Sequence, residues 1–266
     1  PSPLDFLDVD RLLTDEERRV RDRVRAFVEA EVLPGIGERW LAGEFPHHLV
    51  RRFGDMGLLG GHLPREAGGA GLGDVAYGLA MAELERADSG LRSFASVQGS
   101  LVMYAIYTFG SDEQRRRWLP PLGRGEAIGC FGLTEPSAGS DPAALSTRAS
   151  RAGSGWVLRG RKRWIGSGSV ADVAVVWARD DEGTIRGFLV ERGMKGFSAT
   201  DIPRKVSMRL IHSSELHLDD VRLGPEHALP GAVGLKTALQ CLTQARYGIV
   251  WGVVGAAEAC VEEALA

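Results

Sequence analysis

Hydrophobic residues at the start of the chain recur at the spacing of an amphipathic helix. Thr14 and Glu17 form a capping-box pattern, and Val20, Val24 and Phe27 then follow at intervals of three or four residues. A proline–glycine pair comes shortly after them and is expected to end the helix. The chain is therefore predicted to open with a helix that buries one face.

The same periodicity predicts helices through most of the first 125 residues. Further helices are expected over residues 47–56, 74–88 and 93–109. Ser111 and Gln114 then form a second capping box, and we expect the helix that follows to end before the two consecutive prolines that start at position 120. Residues 1–125 are thus predicted to form an N-terminal helical domain.

Short apolar runs separated by turn residues replace the helical pattern in residues 126–232. The runs lie at residues 156–158, 173–177, 187–190 and 215–218. Glycine, aspartate and serine between the runs are typical of turns that join strands. We predict a middle β domain of β-barrel-like or β-sandwich form.

A helical pattern returns in residues 233–266. Gly248, Gly252 and Gly255 lie within it, and such small residues let a neighbouring helix pack closely. The pattern reaches Ala266 without a glycine cap, a proline or a polar tail, so we expect the sequence to be a fragment that stops inside the first helix of a C-terminal helical domain. The predicted fold class is α+β.

Composition and charge exclude several classes of function. The 266 residues are 44% hydrophobic and 25% charged, and a net charge of −3 gives no basic surface for nucleic acid or anionic membranes. The longest uncharged run near the end, residues 247–257, is too short to span a bilayer, and the start has no signal-peptide pattern. We expect a cytoplasmic protein. Cys130, Cys241 and Cys260 are interpreted as reduced core thiols, with no disulfide framework and no metal site.

Residues 130–142 hold the most informative segment, because an apolar run breaks there into a loop rich in hydroxyl groups. Thr134, Ser137 and Ser140 offer donors, and Gly139 lets backbone amides approach a ligand. The composition alone fits either a polar turn or a ligand-binding loop. Two glycine clusters, at residues 68–73 and 123–129, lack the strand–glycine–helix order of a dinucleotide fingerprint.

The order of these segments resembles the acyl-CoA dehydrogenase family over essentially the whole chain. The resemblance rests on the sequence Leu-Thr-Glu-Pro from position 133, on Lys-Arg-Trp-Ile from position 162, and on the helix that resumes after the β domain. Residues 83–93, 96–98, 130–142 and 244–251 are most similar to the glutaryl-CoA dehydrogenases within that family.

The resemblance implies a site for FAD. Phe131, Leu133 and Thr134 would lie along the isoalloxazine ring, with Thr134 donating to its pyrimidine edge, and Trp164 would cover one face of the ring. Ser140 would face the FAD pyrophosphate and the thioester ligand. The full implied cofactor-binding set is Phe131, Gly132, Leu133, Thr134, Glu135, Gly139, Ser140, Trp164, Ile165 and Gly166.

The resemblance also implies an acyl-CoA site, in which Arg92 decides the substrate. A guanidinium pairs bidentately with a carboxylate, so Arg92 would bind the distal carboxylate of a dicarboxylic acyl-CoA, with Glu85 and Ser93 completing this polar end. The alternative for Arg92 is an ion pair at a helix end. Arg246 and Tyr247 would bind the CoA portion and the acyl chain, and Ser140 would contact the thioester.

The implied reaction is FAD-dependent dehydrogenation of glutaryl-CoA, with decarboxylation to crotonyl-CoA. An electron-transfer flavoprotein would be the acceptor and a homotetramer the assembly. No residue matches the family's catalytic glutamate, which the resemblance places in the C-terminal domain, so the 266-residue segment alone is expected to be inactive. Two alternatives stay open: a short-chain acyl-CoA dehydrogenase or oxidase, suggested by Gly166 where the family has threonine or serine, and a truncated, non-catalytic paralogue that binds flavin or acyl-CoA.

Overall fold

A computed structural model describes residues 7–266 of the chain, so the first six residues of the predicted helical domain lie outside it. The predicted α+β arrangement is confirmed: helices come first, a sheet follows, and a long helix ends the chain. The N-terminal helices are α1 (Asp15–Phe27), α2 (Ile36–Ala42), α3 (Leu49–Asp55), α4 (Asp74–Ala87), α5 (Ser89–Ser96), α6 (Tyr104–Phe109) and α7 (Asp112–Gly123). π-helical segments at Val28–Val32 and Val97–Met103 extend α1 and join α5 to α6.

Both capping boxes form as predicted. The Thr14 side chain accepts from the Glu17 amide and the Ser111 side chain accepts from the Gln114 amide, which satisfies amides at the start of α1 and α7. The expectation that the two prolines would end the last of these helices was wrong. Pro120 and Pro121 lie inside its final turn, where their carbonyls still accept from the amides of Arg124 and Glu126.

The strands form one hydrogen-bonded sheet of eight strands within the described residues. They are β1 (Gly129–Gly132), β2 (Arg148–Ala152), β3 (Gly155–Gly166), β4 (Val173–Asp180), β5 (Ile185–Glu191), β6 (Phe197–Asp201), β7 (Ser213–Leu223) and β8 (Ala228–Val233). The order is β6-β7-β3-β2-β4-β5-β8, with β1 paired in parallel to β4. β4 is buried along nearly its whole length, as expected of a central strand, and its Val, Ala and Trp side chains enter the core.

The long helix α8 (Leu235–Leu265) packs against α4. Gly255 permits this approach, because an added Cβ would lie 2.0 Å from the backbone oxygen of Ala82. Cys130 and Cys241 are buried, as predicted, and burial raises the pKa of each thiol to about 12. Cys260 is exposed on α8, so its placement in the core was wrong. Across residues 7–266, no helix combines the length and the apolar character needed to cross a membrane.

Candidate functional site

A buried glutamine fixes the helical region to the start of the sheet. The Gln98 side chain donates to the Gly129 carbonyl at 2.8 Å and accepts from the Gly129 amide at 2.9 Å. Gly129 is the first residue of β1, and β1 leads directly into the loop at residues 133–141. The position of this loop therefore depends on the helix that carries Gln98.

A buried ion pair between Lys162 and Glu135 fixes the loop at residues 133–141 to β3. The Lys162 ammonium on β3 donates to Glu135 Oε1 at 2.8 Å and to the Leu133 carbonyl at 3.1 Å, and the Lys162 side chain is 0% exposed. Glu135 also accepts from the amides of Ser146 and Thr147. Both oxygens of Glu135 thus accept hydrogen bonds from the protein. Glu135 was predicted to belong to the cofactor-binding set, and in the structure its contacts hold the loop in shape.

The electrostatics of this pair follow from burial and mutual attraction. Burial lowers the pKa of Lys162 to about 8, against the opposing charge of Glu135. Burial by itself raises the pKa of Glu135, but the Lys162 charge and the hydrogen bonds to the carboxylate outweigh it and lower the pKa to about 2. The pair is ionised at neutral pH.

Thr134 and Trp164, two of the predicted flavin contacts, lie on neighbouring segments. The Arg163 amide donates to the Thr134 carbonyl at 2.9 Å, which joins the loop to β3. Trp164 has φ of 62° and lies where the pairing of β3 with β7 shifts register between Lys162 and Ile165. Positive φ is strained for a bulky residue, and bulges commonly redirect a side chain beside an active site. Trp164 is turned outward here and is 55% exposed.

Gly166 ends β3 beside the helical region. An added Cβ would lie 3.1 Å from Ile211 Cδ1 and 3.7 Å from Val97 Cγ2. Ile211 therefore occupies part of the space that a threonine or serine side chain would need. Val97 follows the helix that carries Arg92 and Ser93, so the end of β3 lies next to the predicted acyl-binding segment.

The remaining predicted flavin contacts divide by exposure. Phe131 and Leu133 are buried in the core, where the Phe131 ring lies 5.9 Å from the Trp177 ring. Gly132 and Ile165 are also enclosed. Gly139 and Ser140 are exposed at the end of the loop, and Thr134 is half-buried. Within the predicted cofactor set, the surface open to a ligand is formed by Thr134, Gly139, Ser140, Trp164 and part of Gly166.

Arg92 and Glu85 form a second buried ion pair, between α5 and α4. Arg92 Nε donates to Glu85 Oε2, and the two side chains are 8% and 6% exposed. Among the residues that the structure describes, no protein acceptor pairs with the Nη atoms of Arg92. Glu83, two residues before Glu85 on α4, instead accepts two hydrogen bonds from Arg25 on α1, of 3.0 and 2.7 Å. The two carboxylates therefore serve different partners.

Tyr77 lies near Arg92 and carries a second set of contacts. The Tyr77 hydroxyl lies 3.0 Å from Ser100 Oγ, and the Tyr77 ring stacks on that of Tyr247 from α8 at 6.5 Å between centroids. Burial raises the pKa of Tyr77, while the Ser100 hydrogen bond and the nearby Arg92 charge oppose that rise. Arg246 is exposed on the same helix. The structure thus stacks Tyr247 on Tyr77, while both Tyr247 and Arg246 remain partly open to solvent.

The sequence did not indicate the roles of three residues in this region. Gln98 binds the backbone of Gly129, Lys162 is a buried cation paired with Glu135, and Gly252 lies beside Arg92. Lys162 lies between Arg161 and Arg163 in the sequence, so its charged neighbours gave no local sign that this lysine is buried. Gly252 was noticed as a small residue in a helix, but its neighbours come from other helices and cannot be read from local sequence.

Comparison with protein families gives a decisive match. Residues 14–126 match the acyl-CoA dehydrogenase N-terminal domain, and residues 130–221 match the acyl-CoA dehydrogenase middle domain. The chain belongs to the acyl-CoA dehydrogenase family. The resemblance found in the sequence is therefore confirmed at the level of the family.

The similarity to individual members of the acyl-CoA dehydrogenase family covers almost the whole chain. The mitochondrial short-chain specific acyl-CoA dehydrogenase of Mus musculus is 35% identical over 94% of this chain and 62% of its own length. The short-chain specific acyl-CoA dehydrogenase of Clostridium acetobutylicum is 36% identical over 97% of this chain and 69% of its own. The chain thus spans about three fifths of the length of the mouse relative.

A solved structure of a glutaryl-CoA dehydrogenase is also similar. The enzyme from Mycobacterium smegmatis in complex with FADH2 superposes with a TM-score of 0.95 and is 52% identical, over 98% of this chain and 67% of that chain. The mouse and Clostridium acetobutylicum relatives are thus named as short-chain enzymes, whereas this structural neighbour is named as a glutaryl enzyme.

Proposed function

We propose that this chain forms the helical and β parts of an FAD-dependent acyl-CoA dehydrogenase that acts on a dicarboxylic acyl-CoA, specifically glutaryl-CoA, and yields crotonyl-CoA after decarboxylation. The single observation that carries the proposal is the buried Arg92, whose Nε is held by Glu85 and whose Nη atoms have no acceptor among the described residues. An electron-transfer flavoprotein as acceptor and a homotetramer belong to the same proposal.

The exposed part of the loop and Trp164 fit a flavin. A strained tryptophan that is 55% exposed offers a flat apolar face, and the adjacent Thr134 offers a hydroxyl donor. FAD, when bound, supplies the two-electron oxidant that the reaction needs. The protein's own contribution is to hold Thr134 and Trp164 at fixed positions through the Arg163 amide and the Lys162–Glu135 pair.

The Arg92 pair supports a dicarboxylic substrate on energetic grounds. The Nη atoms of Arg92 have no protein acceptor among the described residues but are not sealed from solvent, so a substrate carboxylate could accept from both at once. A simple fatty acyl chain would leave those donors unpaired. This argument favours the glutaryl enzyme over a short-chain enzyme, which is the second candidate because the mouse and Clostridium acetobutylicum relatives are named as short-chain dehydrogenases.

The proton-abstracting base is proposed to come from outside these 266 residues. The three buried glutamates of the described residues are each paired with a cation: Glu83 with Arg25, Glu85 with Arg92, and Glu135 with Lys162. A carboxylate committed to a cation in this way is a poor proton acceptor. The 266-residue segment alone is therefore proposed to lack dehydrogenase turnover.

Anaerobic flavin bleaching tests the proposal. The FAD-loaded protein, with the rest of its catalytic machinery, is mixed with glutaryl-CoA or with butyryl-CoA, and the loss of flavin absorbance is followed. We expect faster bleaching with glutaryl-CoA, and the variant Arg92→Met should lose this preference by about 10- to 100-fold because a charge-assisted pair is removed. A preference for butyryl-CoA in the wild type would instead support the short-chain enzyme. Rapid hydrogen peroxide production in air would support an oxidase.

A further inference from the structure

Gly252 lies on α8 directly opposite the Glu85–Arg92 pair. An added Cβ would lie 2.7 Å from Glu85 Oε2 and 3.2 Å from Arg92 Nε, and a third near contact is Glu85 Cδ, also at 3.2 Å. A carbon atom at 2.7 Å from a carboxylate oxygen does not fit without movement. The nearest neighbours of the missing side chain are thus the two charged groups that form the ion pair.

Two other glycines of α8 have different neighbours. At Gly255 the added Cβ would meet backbone atoms of Ala82, so that glycine is required for helix packing. At Gly248 it would meet Met81 and the Tyr77 hydroxyl at 3.2 and 3.3 Å. Glycine is unfavourable in a helix interior, and a glycine kept there calls for a reason in packing or function. For Gly252 the nearby atoms indicate that the reason is the ion pair.

We propose that Gly252 is a specificity-determining positioning residue, whose missing side chain leaves the room in which Glu85 holds Arg92 toward the acyl chain. This proposal rests on the proposed function, because it gives Arg92 the task of binding a substrate carboxylate. It adds that substrate choice depends on three helices together, with Glu85 on α4, Arg92 on α5 and Gly252 on α8.

The variant Gly252→Ala separates this role from a structural one. The three atoms nearest to the new methyl group belong to the Glu85 and Arg92 side chains and not to backbone, so the backbone can stay in place while the Glu85–Arg92 pair shifts. Alanine also favours the helix. We therefore expect G252A to fold with an unchanged or higher Tm, and to bind glutaryl-CoA about 10-fold or more weakly, while butyryl-CoA binding changes little.

Binding is measured by calorimetry on the FAD-containing protein after chemical reduction under anaerobic conditions, so that neither acyl-CoA is oxidised. The kcat and KM of the oxidised protein for the two substrates provide a second readout. Gly37→Ala serves as the matched control, because Gly37 is a glycine of α2 with nothing within 4 Å of its added Cβ. This control should leave both affinities unchanged.

Arg92→Met distinguishes the two levels of the proposal. In the R92M background, G252A should cause no further loss of glutaryl-CoA affinity, because the group that it displaces has been removed. If R92M alone leaves the preference for glutaryl-CoA intact, the proposed function fails. If R92M abolishes the preference but G252A binds glutaryl-CoA like the wild type, the role of Gly252 is refuted while the proposed function stands. Failure of G252A to fold would also refute it, because the contact would then be structural.

Discussion

Lys162 carries a full positive charge in a place from which water is excluded. Its side chain is 0% exposed and that of Glu135 is 1% exposed, so each ion depends on the other for stabilisation. The ammonium also binds the Leu133 carbonyl, next to Thr134. The charge pair therefore couples the stability of the β region to the shape of the loop that we propose for flavin binding.

Replacing Lys162 by methionine should destabilise the fold by about 3–5 kcal/mol, because it leaves the Glu135 carboxylate buried without a cation. Urea unfolding followed by circular dichroism measures the change. The double variant K162M/E135Q, which removes both charges and keeps the shape, should be more stable than K162M. Arg159→Ala, which breaks the exposed pair with Asp220, is the control and should have a much smaller effect. Equal losses for R159A and K162M would contradict this reasoning.

Acid should weaken the fold through Glu135. The charge of Lys162 and the surrounding donors outweigh burial and hold the pKa of Glu135 at about 2, below the ordinary value of 4.5. A carboxyl group whose pKa is lower in the folded state stabilises the fold above pH 4.5, and this contribution is lost as the pH falls toward 2. The free energy of unfolding should therefore decline over this interval, and the decline should be shallower for E135Q. Parallel pH profiles for the two proteins would show that Glu135 does not contribute.

At the scale of elements, the sequence predicted the helix caps and most of the longer helices, because these depend on residues close together in the chain. The capping boxes at Thr14 and Ser111 form because cap and amide lie within one turn, and the helical periodicities locate helices to within a few residues. The pair at Pro120 was misjudged, since proline at the end of a helix removes few hydrogen bonds. Several short elements, namely α2, β2, β6 and β8, were not predicted, and the boundaries of the predicted elements were less accurate than their existence.

β3 shows why the candidate site was only partly predictable. The short run at residues 156–158 indicated a strand, but the strand continues to Gly166 and bulges at Trp164, where its pairing with β7 shifts register. Such a shift depends on a partner strand some fifty residues away, so local sequence does not encode it. The resemblance supplied Trp164 as a site residue, and the structure adds the strained backbone that exposes its ring.

At the scale of the whole molecule, the Arg92 region and the loop proposed for flavin binding are joined through contacts between helix and sheet. Gln98 binds both backbone groups of Gly129, and Val97 lies close to Gly166. The packing of the helical region on the sheet therefore sets the distance between the proposed acyl end and the proposed oxidant. None of these contacts is local in sequence, which is why sequence reasoning named the residues of both regions but not the links between them.

This arrangement predicts how FAD should affect global stability. A ligand that binds the folded state alone raises its stability by about 2.7 kcal/mol at 100 times its Kd, so excess FAD should raise the Tm of the protein. Trp164→Ala should abolish most of this rise and leave the Tm without FAD nearly unchanged, because the ring is 55% exposed and adds little to the core.

Trp40→Ala is the matched control, since Trp40 is also exposed and lies under an arginine, Arg209, as Trp164 lies under Arg163. Differential scanning fluorimetry with and without FAD gives both values for each variant. An FAD-induced rise in W164A equal to that of W40A would place the flavin away from Trp164 and the loop beside it.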